Sequence, residues 1–266
     1  MSRTGTQSLE RGIALLREIA ESNRNGLSLP ELTEKTHLDR STVHRMLKCL
    51  VAEHLLIYEA DKRLYRLGSL VFQMGLASGE MFFRDAAAPT LTRLAEETGD
   101  TVFLMLLSGQ EALCVDRREG AYPVKTFVVE VGTRRPLGMG AAALALLAAL
   151  NDEQVEEAIA ANAQKLSAFP GLMDAQRLRQ MVQRTREQQY SAMPVIGVPG
   201  VRGIGYPVCL PSGRVIAAIA IAAIEPRMSA EREKMLASTL KTAVRELVEN
   251  FSGSRRTSVR NSGPFA

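Results

Sequence analysis

The chain has 266 residues, 46% hydrophobic and 23% charged, which fits one large or two small folded domains and excludes a disordered chain. A formal net charge of +4 excludes a histone-like composition but allows a local basic patch. The only histidines are His37, His44 and His54, so nothing beyond residue 54 can use an imidazole as general base or metal ligand.

In chain order, Leu9, Ile13, Leu16 and Ile19 recur at helical spacing, and Asn23 to Gly26 reads as a stop. Ser28 to Glu31 then fits a capping box with Pro30 in the first turn, which predicts a short helix ending near Thr36. Asp39 can cap a third helix over Arg40 to Glu53. Its apolar positions Val43, Met46, Leu47, Leu50 and Val51 should face inward. Arg40, Ser41, Thr42, His44, Arg45 and Lys48 fall on the opposite side, a face with three cations and no acid. Leu56 to Tyr58 and Leu64 to Leu67 read as a hairpin, with Lys62 and Arg63 at its tip.

Helix, short capped helix, cationic helix and basic-tipped hairpin make a winged helix-turn-helix, in which hydroxyls and cations meet phosphates and base edges. Ser28, Arg40, Ser41, Thr42, His44, Arg45, Lys48, Lys62 and Arg63 are the candidate contacts to double-stranded DNA. Against this stand two plainer readings: a cationic helix face can be merely solvated, and Ser41 and Thr42 can be first-turn caps. The histidine spacings do not place a pair at i, i+4, so no metal site is expected.

Residues 68–80, apolar but punctuated by Gly68, Gly75 and Gly79, read as a helical connector. A helix is expected over Asp85 to Thr98, then strands over Thr101 to Ser108, Ala112 to Asp116 and Val124 to Val131. Helices follow near 140–150, 152–165 and 174–189, then strands Gly203 to Leu210 and Arg214 to Ile224, and a last helix from Ser229 to about Phe251. Mixed runs of this kind predict an α+β domain with a largely antiparallel sheet. Residues 252–266 are polar and basic and read as a disordered tail.

Other classes are disfavoured. Cys49, Cys114 and Cys209 are far apart with no C-x-x-C, which fits a reducing cytoplasm. The N-terminus lacks the apolar stretch of a signal peptide. Met139 to Leu150 and Val215 to Ile224 fall short of the roughly 18 residues of a membrane span and read as a buried helix and strand. No G-x-S-x-G, P-loop or Cys–His pair supports catalysis in the second domain, so an enzyme is not expected. Gly138 to Ala143 matches G-x-G-x-x-A, but no strand leads straight into it and no acid ends a following strand. No dinucleotide or other cofactor is expected. The glycines instead open a helix whose free N–H groups can hold a carboxylate.

The segments SLERGIALLREIAE, LSLPELTEKTHLDRSTVHRMLKCLVAEHLL and LYRLG resemble the winged helix of the IclR family of bacterial transcription regulators, with STVHR the sharpest part. EETGDTVFLMLL, RRPL, PGVRGIGYPV and GRVIAAIAI resemble that family's effector-binding domain, so the likeness spans about residues 7–251. The resemblance implies a DNA-binding domain over 1–67, a linker helix over 68–80 and a GAF-like effector domain over 81–251. It also implies dimers that pair into tetramers on operator DNA. Its effector contacts would fall at Leu104, Gly138, Met139, Gly140, Ala141, Met193 and Gly203, with Cys209 and Arg202 at the edge, where each can equally be structural.

Two segments depart from the family's pattern. Where it runs Pro-Leu-His-Ala-Thr-Ala-x-Gly-Lys, this chain has Pro136 and Leu137 followed by Gly138-Met139-Gly140 and alanines. Where it has acids before Pro-Gly, this chain has Met193 to Val198. A Cys that often follows Val-Arg is Gly203 here. The expected effector is therefore a larger or more apolar carboxylate, aromatic or acyl, than a two- or three-carbon keto acid. The alternative is a second domain that only oligomerises and binds no effector.

Overall fold

A computed structural model describes residues 6–22, 25–126, 128–168 and 174–260, without the side chains of 80 and 253–260. The chain divides into two compact units, 1–82 and 83–266.

The first unit holds α1 (Gln7–Glu21), β1 (Leu27–Ser28), α2 (Leu29–Thr36), α3 (Arg40–Ala52), β2 (Leu56–Glu59), β3 (Leu64–Leu67) and α4 (Ser69–Ala77). Its core joins Leu15 and Ile19 of α1, Leu32 of α2, Val43 and Leu47 of α3, and Leu56 and Tyr65 of the hairpin. The three helices thus bury one apolar stripe each against the hairpin. Strand β1, too short to show in the sequence, pairs with β3, giving an antiparallel sheet of order β1-β3-β2. The stop after α1 lies partly outside the described residues. Leu9 and Ile13 remain exposed on α1.

The connector is not one helix over 68–80. Helix α4 ends at Ala77, and α5 (Gly79–Thr98) starts six residues earlier than the expected Asp85. The break falls at Ser78, whose extended backbone (ψ 137°) leaves the helical region and whose hydroxyl accepts from the Met81 N–H. At the other end of α4, Gly68 and Leu70 donate to the carbonyls of Leu55 and His54. A Cβ on Gly68 would lie 2.2 Å from the His54 oxygen, so only glycine permits this junction.

The second unit contains a six-stranded antiparallel sheet of order β6-β5-β4-β9-β8-β7. Its strands are β4 (Thr101–Ser108), β5 (Glu111–Glu119), β6 (Arg134–Pro136), β7 (Ser191–Pro194), β8 (Val201–Cys209) and β9 (Val215–Ile224). Helix α5 and α9 (Ala230–Arg260) cover one face, meeting Val102, Leu104, Leu106, Ile219 and Ile221. Helices α6 (Ala141–Ala148), α7 (Asp152–Leu166) and α8 (Ala175–Gln188) cover the other, meeting Phe103, Met105, Ala218, Ala220 and Ala222. The two sets alternate along β4 and β9, as the pleat requires.

Helix α6 is wholly buried and β9 nearly so, as their low polarity predicts. Val124 to Val131 is expected as a strand, but none of its described residues is in one. Pro123 cannot donate a backbone hydrogen bond. Thr126 instead ties the segment to the sheet, its hydroxyl donating to the Ala222 carbonyl and its N–H to the Thr101 hydroxyl. The edge of β5 is taken by β6, with Ala112 opposite Arg135. The tail expected to be irregular from 252 continues α9 to Arg260, because nothing before Arg260 breaks the helix except the tolerated Gly253. Residues 261–266 lie outside the described residues.

Candidate functional site

The sequence places a cationic face on α3, and the geometry shows what each residue there touches. Asp39 caps the helix: its carboxylate accepts from the Ser41 hydroxyl at 2.6 Å and the Thr42 N–H at 2.9 Å. Those hydrogen bonds, Ser41's foremost, hold the Asp39 carboxyl well below its usual range. Ser41 is therefore engaged in capping, the plainer of its two readings, while Thr42 is half-buried beside it. Arg40, His44, Arg45 and Lys48 are exposed. Among the described residues no hydrogen bond or ion pair engages the side chain of Arg40, Arg45 or Lys48. Inward, Val43 and Leu47 are fully buried, with Met46, Leu50 and Val51 packed beside them.

Ser28 sits at the N-cap of α2. Its N–H and hydroxyl both donate to Glu31, at 2.8 and 2.6 Å, and Ser28 also pairs with Leu64 of β3. In the hairpin turn, Lys62 is 3.5 Å from Glu59 and so partly neutralised. Arg63, at φ +55°, is exposed at the tip with no ion pair among the described residues.

In the second unit a cavity opens between the sheet and the start of α6. Small residues make the room: Gly203 of β8, Ala220 and Ala222 of β9, and Ala141 and Ala142 of α6. Phe103 and Met105 of β4 give bulk to one wall, and Val128, Val129, Val195 and Ile196 come from the flanking loops. Met139 and Gly140 complete the α6 side, Gly140 as N-cap at φ +104°.

Of the expected effector contacts, the structure brings Met139, Gly140, Ala141 and Gly203 to this cavity. The others are elsewhere. Leu104 is fully buried but points from β4 toward α5 and α9, since neighbours on a strand face opposite ways. Gly138, at φ +90°, lies against α8, and a Cβ there would stand 2.5 Å from a Leu178 methyl. Met193 packs in the core beyond the lining. Cys209 opens on a separate groove against α9, beside Lys241 and Arg245. Arg202 is held in an ion pair with Glu233 at 2.7 Å, a structural role.

Sequence reasoning missed Phe103, Met105 and Arg135. The signal for Phe103 and Met105 was the period-two alternation of β4. For Arg135 it was the same alternation across Arg134 to Pro136. Arg134 turns outward to Glu111 at 2.8 Å, whereas Arg135 lines the cavity. Catalytic alternatives gain nothing: Cys114 is buried, and desolvation pushes its thiol up to about 11. No cluster of three metal-ligating side chains occurs among the described residues.

Comparison with known proteins agrees with this division. Residues 8–59 match the IclR helix-turn-helix domain and residues 77–249 match the C-terminal domain of the bacterial transcriptional regulator IclR. The chain is 29% identical over 234 residues to the HTH-type transcriptional repressor AllR of Salmonella typhi, covering 87% of this chain and 85% of that one. It is 27% identical over 255 residues to the probable transcriptional regulator SauR of Cupriavidus necator, covering 94% and 99%. Its fold is similar to that of an IclR homologue from Microbacterium hydrocarbonoxydans complexed with 4-hydroxybenzoate, at TM-score 0.77 and 22% identity over 92% and 99% of the two chains.

Proposed function

The chain belongs to the IclR family of bacterial transcriptional regulators, and from that premise we propose how it reads DNA and what controls it. The α3 face docks in the major groove of double-stranded operator DNA, with Arg45 and Lys48 as its principal cations and Arg40, Ser41, Thr42 and His44 at its leading end. Ser28 and the hairpin tip, Lys62 and Arg63, contact flanking phosphates. The observation that carries this reading is the exposed, unneutralised set of cations on one face of α3. A helix that is only solvated commonly offsets such charges with acids at i±3 or i±4. This one has none on that face.

The cavity of the second unit binds a small organic carboxylate that modulates operator binding. Its apolar lining suits an aromatic or acyl body better than a two- or three-carbon keto acid. The Microbacterium structure holds an aromatic carboxylate of this class, which supports the choice. Modulation requires the effector to bind one arrangement of the winged helices more tightly than another, and residues 68–80 are the connection that would carry it. The protein acts in the cytoplasm as a homo-oligomer, without enzymatic activity, metal or cofactor.

A gel-shift titration on the DNA upstream of the protein's own gene, at several salt concentrations, tests the docking. Arg45→Ala should weaken specific binding by about 1–3 kcal/mol if Arg45 reads a base. Unchanged affinity would contradict the docking.

A further inference from the structure

Every wall of the effector cavity is apolar except one position. Arg135 is the one lining residue with an ionisable side chain among those described. It sits half-buried on the edge strand β6, and its neighbour Arg134 is already spent on Glu111 and Ser108.

A guanidinium carries five N–H donors in a planar fork. The structure shows one of them used, from Nη2 to the Val128 carbonyl at 2.7 Å. Among the described residues no carboxylate lies within 4.0 Å of it. The arginines on the adjoining strand β5 differ: Arg117 pairs with Glu119 and Arg118 with Asp116. Burial pushes the Arg135 pKa down, and no acid opposes the shift. A cation held in an apolar chamber with donors to spare is poorly compensated until an anion arrives.

We infer that Arg135 is the counter-ion and specificity-determining residue of this cavity, and that its ligand is a monocarboxylate with an apolar body. This rests on the proposed reading of the cavity as the effector site and goes further by naming the residue that selects the charge. The carboxylate meets the fork of Arg135 in paired charge-assisted hydrogen bonds. The body lies over Gly203, Ala220 and Ala222 and against Phe103 and Met105. One cation neutralises one carboxylate, so a dianion would bring a second charge among apolar walls with no partner. A carboxamide of the same shape would lose the charge assistance. The rival holder of the anion is the N-terminal turn of α6, which lines the same cavity through Gly140 and Ala141. An anion held there would not depend on the charge of Arg135.

The test is isothermal titration calorimetry on the full-length protein with benzoate and hexanoate, their neutral twins benzamide and hexanamide, and the dianion phthalate. Wild-type protein should bind at least one of the two carboxylates about tenfold or more tightly than its amide, and more tightly than phthalate. Arg135→Gln, which keeps a donor for the Val128 carbonyl, should abolish that preference while leaving amide affinity within about threefold. Arg135→Lys should retain part of it, because the charge stays and the fork goes. A thermal melt checks that both variants fold, and the lysine variant's carboxylate-to-amide ratio serves if the glutamine variant does not. An unchanged preference in Arg135→Gln overturns the assignment and hands the anion to α6. Tighter binding of phthalate than benzoate overturns the limit to one carboxylate. If wild-type protein binds none of the five, the effector reading falls, and the assignment of Arg135 falls with it.

Discussion

Arg45 and Lys62 carry the same charge but not the same freedom. Arg45 is unpaired on α3, whereas Lys62 stands 3.5 Å from Glu59. A cation already partly neutralised contributes less to phosphate attraction. Lys62→Ala should therefore weaken operator binding less than Arg45→Ala, which competition gel-shifts would rank. Asp39 acts through the helix instead. Its carboxyl is held low by Ser41 and Thr42, so its contribution to stability is present above the unfolded-state pKa of about 3.9 and lost as the pH falls toward the folded value. Asp39→Ala should melt at a lower temperature than wild type at pH 7. The gap should begin to close below about pH 4, as calorimetric melts across acid pH would show. A gap that widened below pH 4 would contradict the cap.

At the scale of elements, the sites differ in how far the sequence could place them. The α3 face was legible because a 3.6-residue period separates Val43 and Leu47 from Arg45 and Lys48 within one helix. The cavity-lining residues come from β4, β6, α6, β8 and β9 and from the loops, and their meeting depends on strand register. A one-residue shift moves a side chain to the other face, and Leu104 lies on the face opposite Phe103 and Met105. Strands β1, β6 and β7 are two to four residues long, too short to show a period. The run Val124 to Val131 has strand-like composition, yet Val124 and Val131 are exposed and no strand pairs with its described residues.

Close approach of α6 to β8 was hidden as well. A Cβ on Gly205 would lie 2.6 Å from the Ala141 carbonyl oxygen and 2.7 Å from the Ser191 hydroxyl that donates to it. Gly205→Ala should destabilise the protein by about 1–3 kcal/mol, read from denaturant titration. Gly203→Ala, where the nearest contact is the Ala141 Cβ at 3.1 Å, should cost less.

For the whole molecule, the distribution of charge matters more than its sum. Residues 1–67 hold 11 Lys+Arg against 9 Asp+Glu, residues 68–251 hold 19 against 20, and 252–266 hold three Arg and no acid. The cavity-bearing domain is thus near neutral, and the surplus lies in the winged helix and at the C-terminal end. The first unit also exposes apolar side chains. On α4, Phe72 is 65% and Leu76 48% exposed, and Phe82 of α5 is 61% exposed, more apolar area than a solvated helix usually shows. If this face joins copies of the chain, Phe72→Glu should shift sedimentation toward the monomer at micromolar protein.

If the protein couples operator DNA to a carboxylate in a cavity of its second domain, each ligand must change the affinity for the other. Coupling between two binding sites is reciprocal. The most direct test is fluorescence anisotropy of a labelled upstream DNA fragment, titrated with protein at fixed salt, with and without saturating benzoate or hexanoate, whichever binds. The DNA dissociation constant should change by about fivefold or more, and the same DNA should change the ligand's dissociation constant by the same factor. A ligand that saturates the cavity and leaves DNA affinity unchanged would contradict the account.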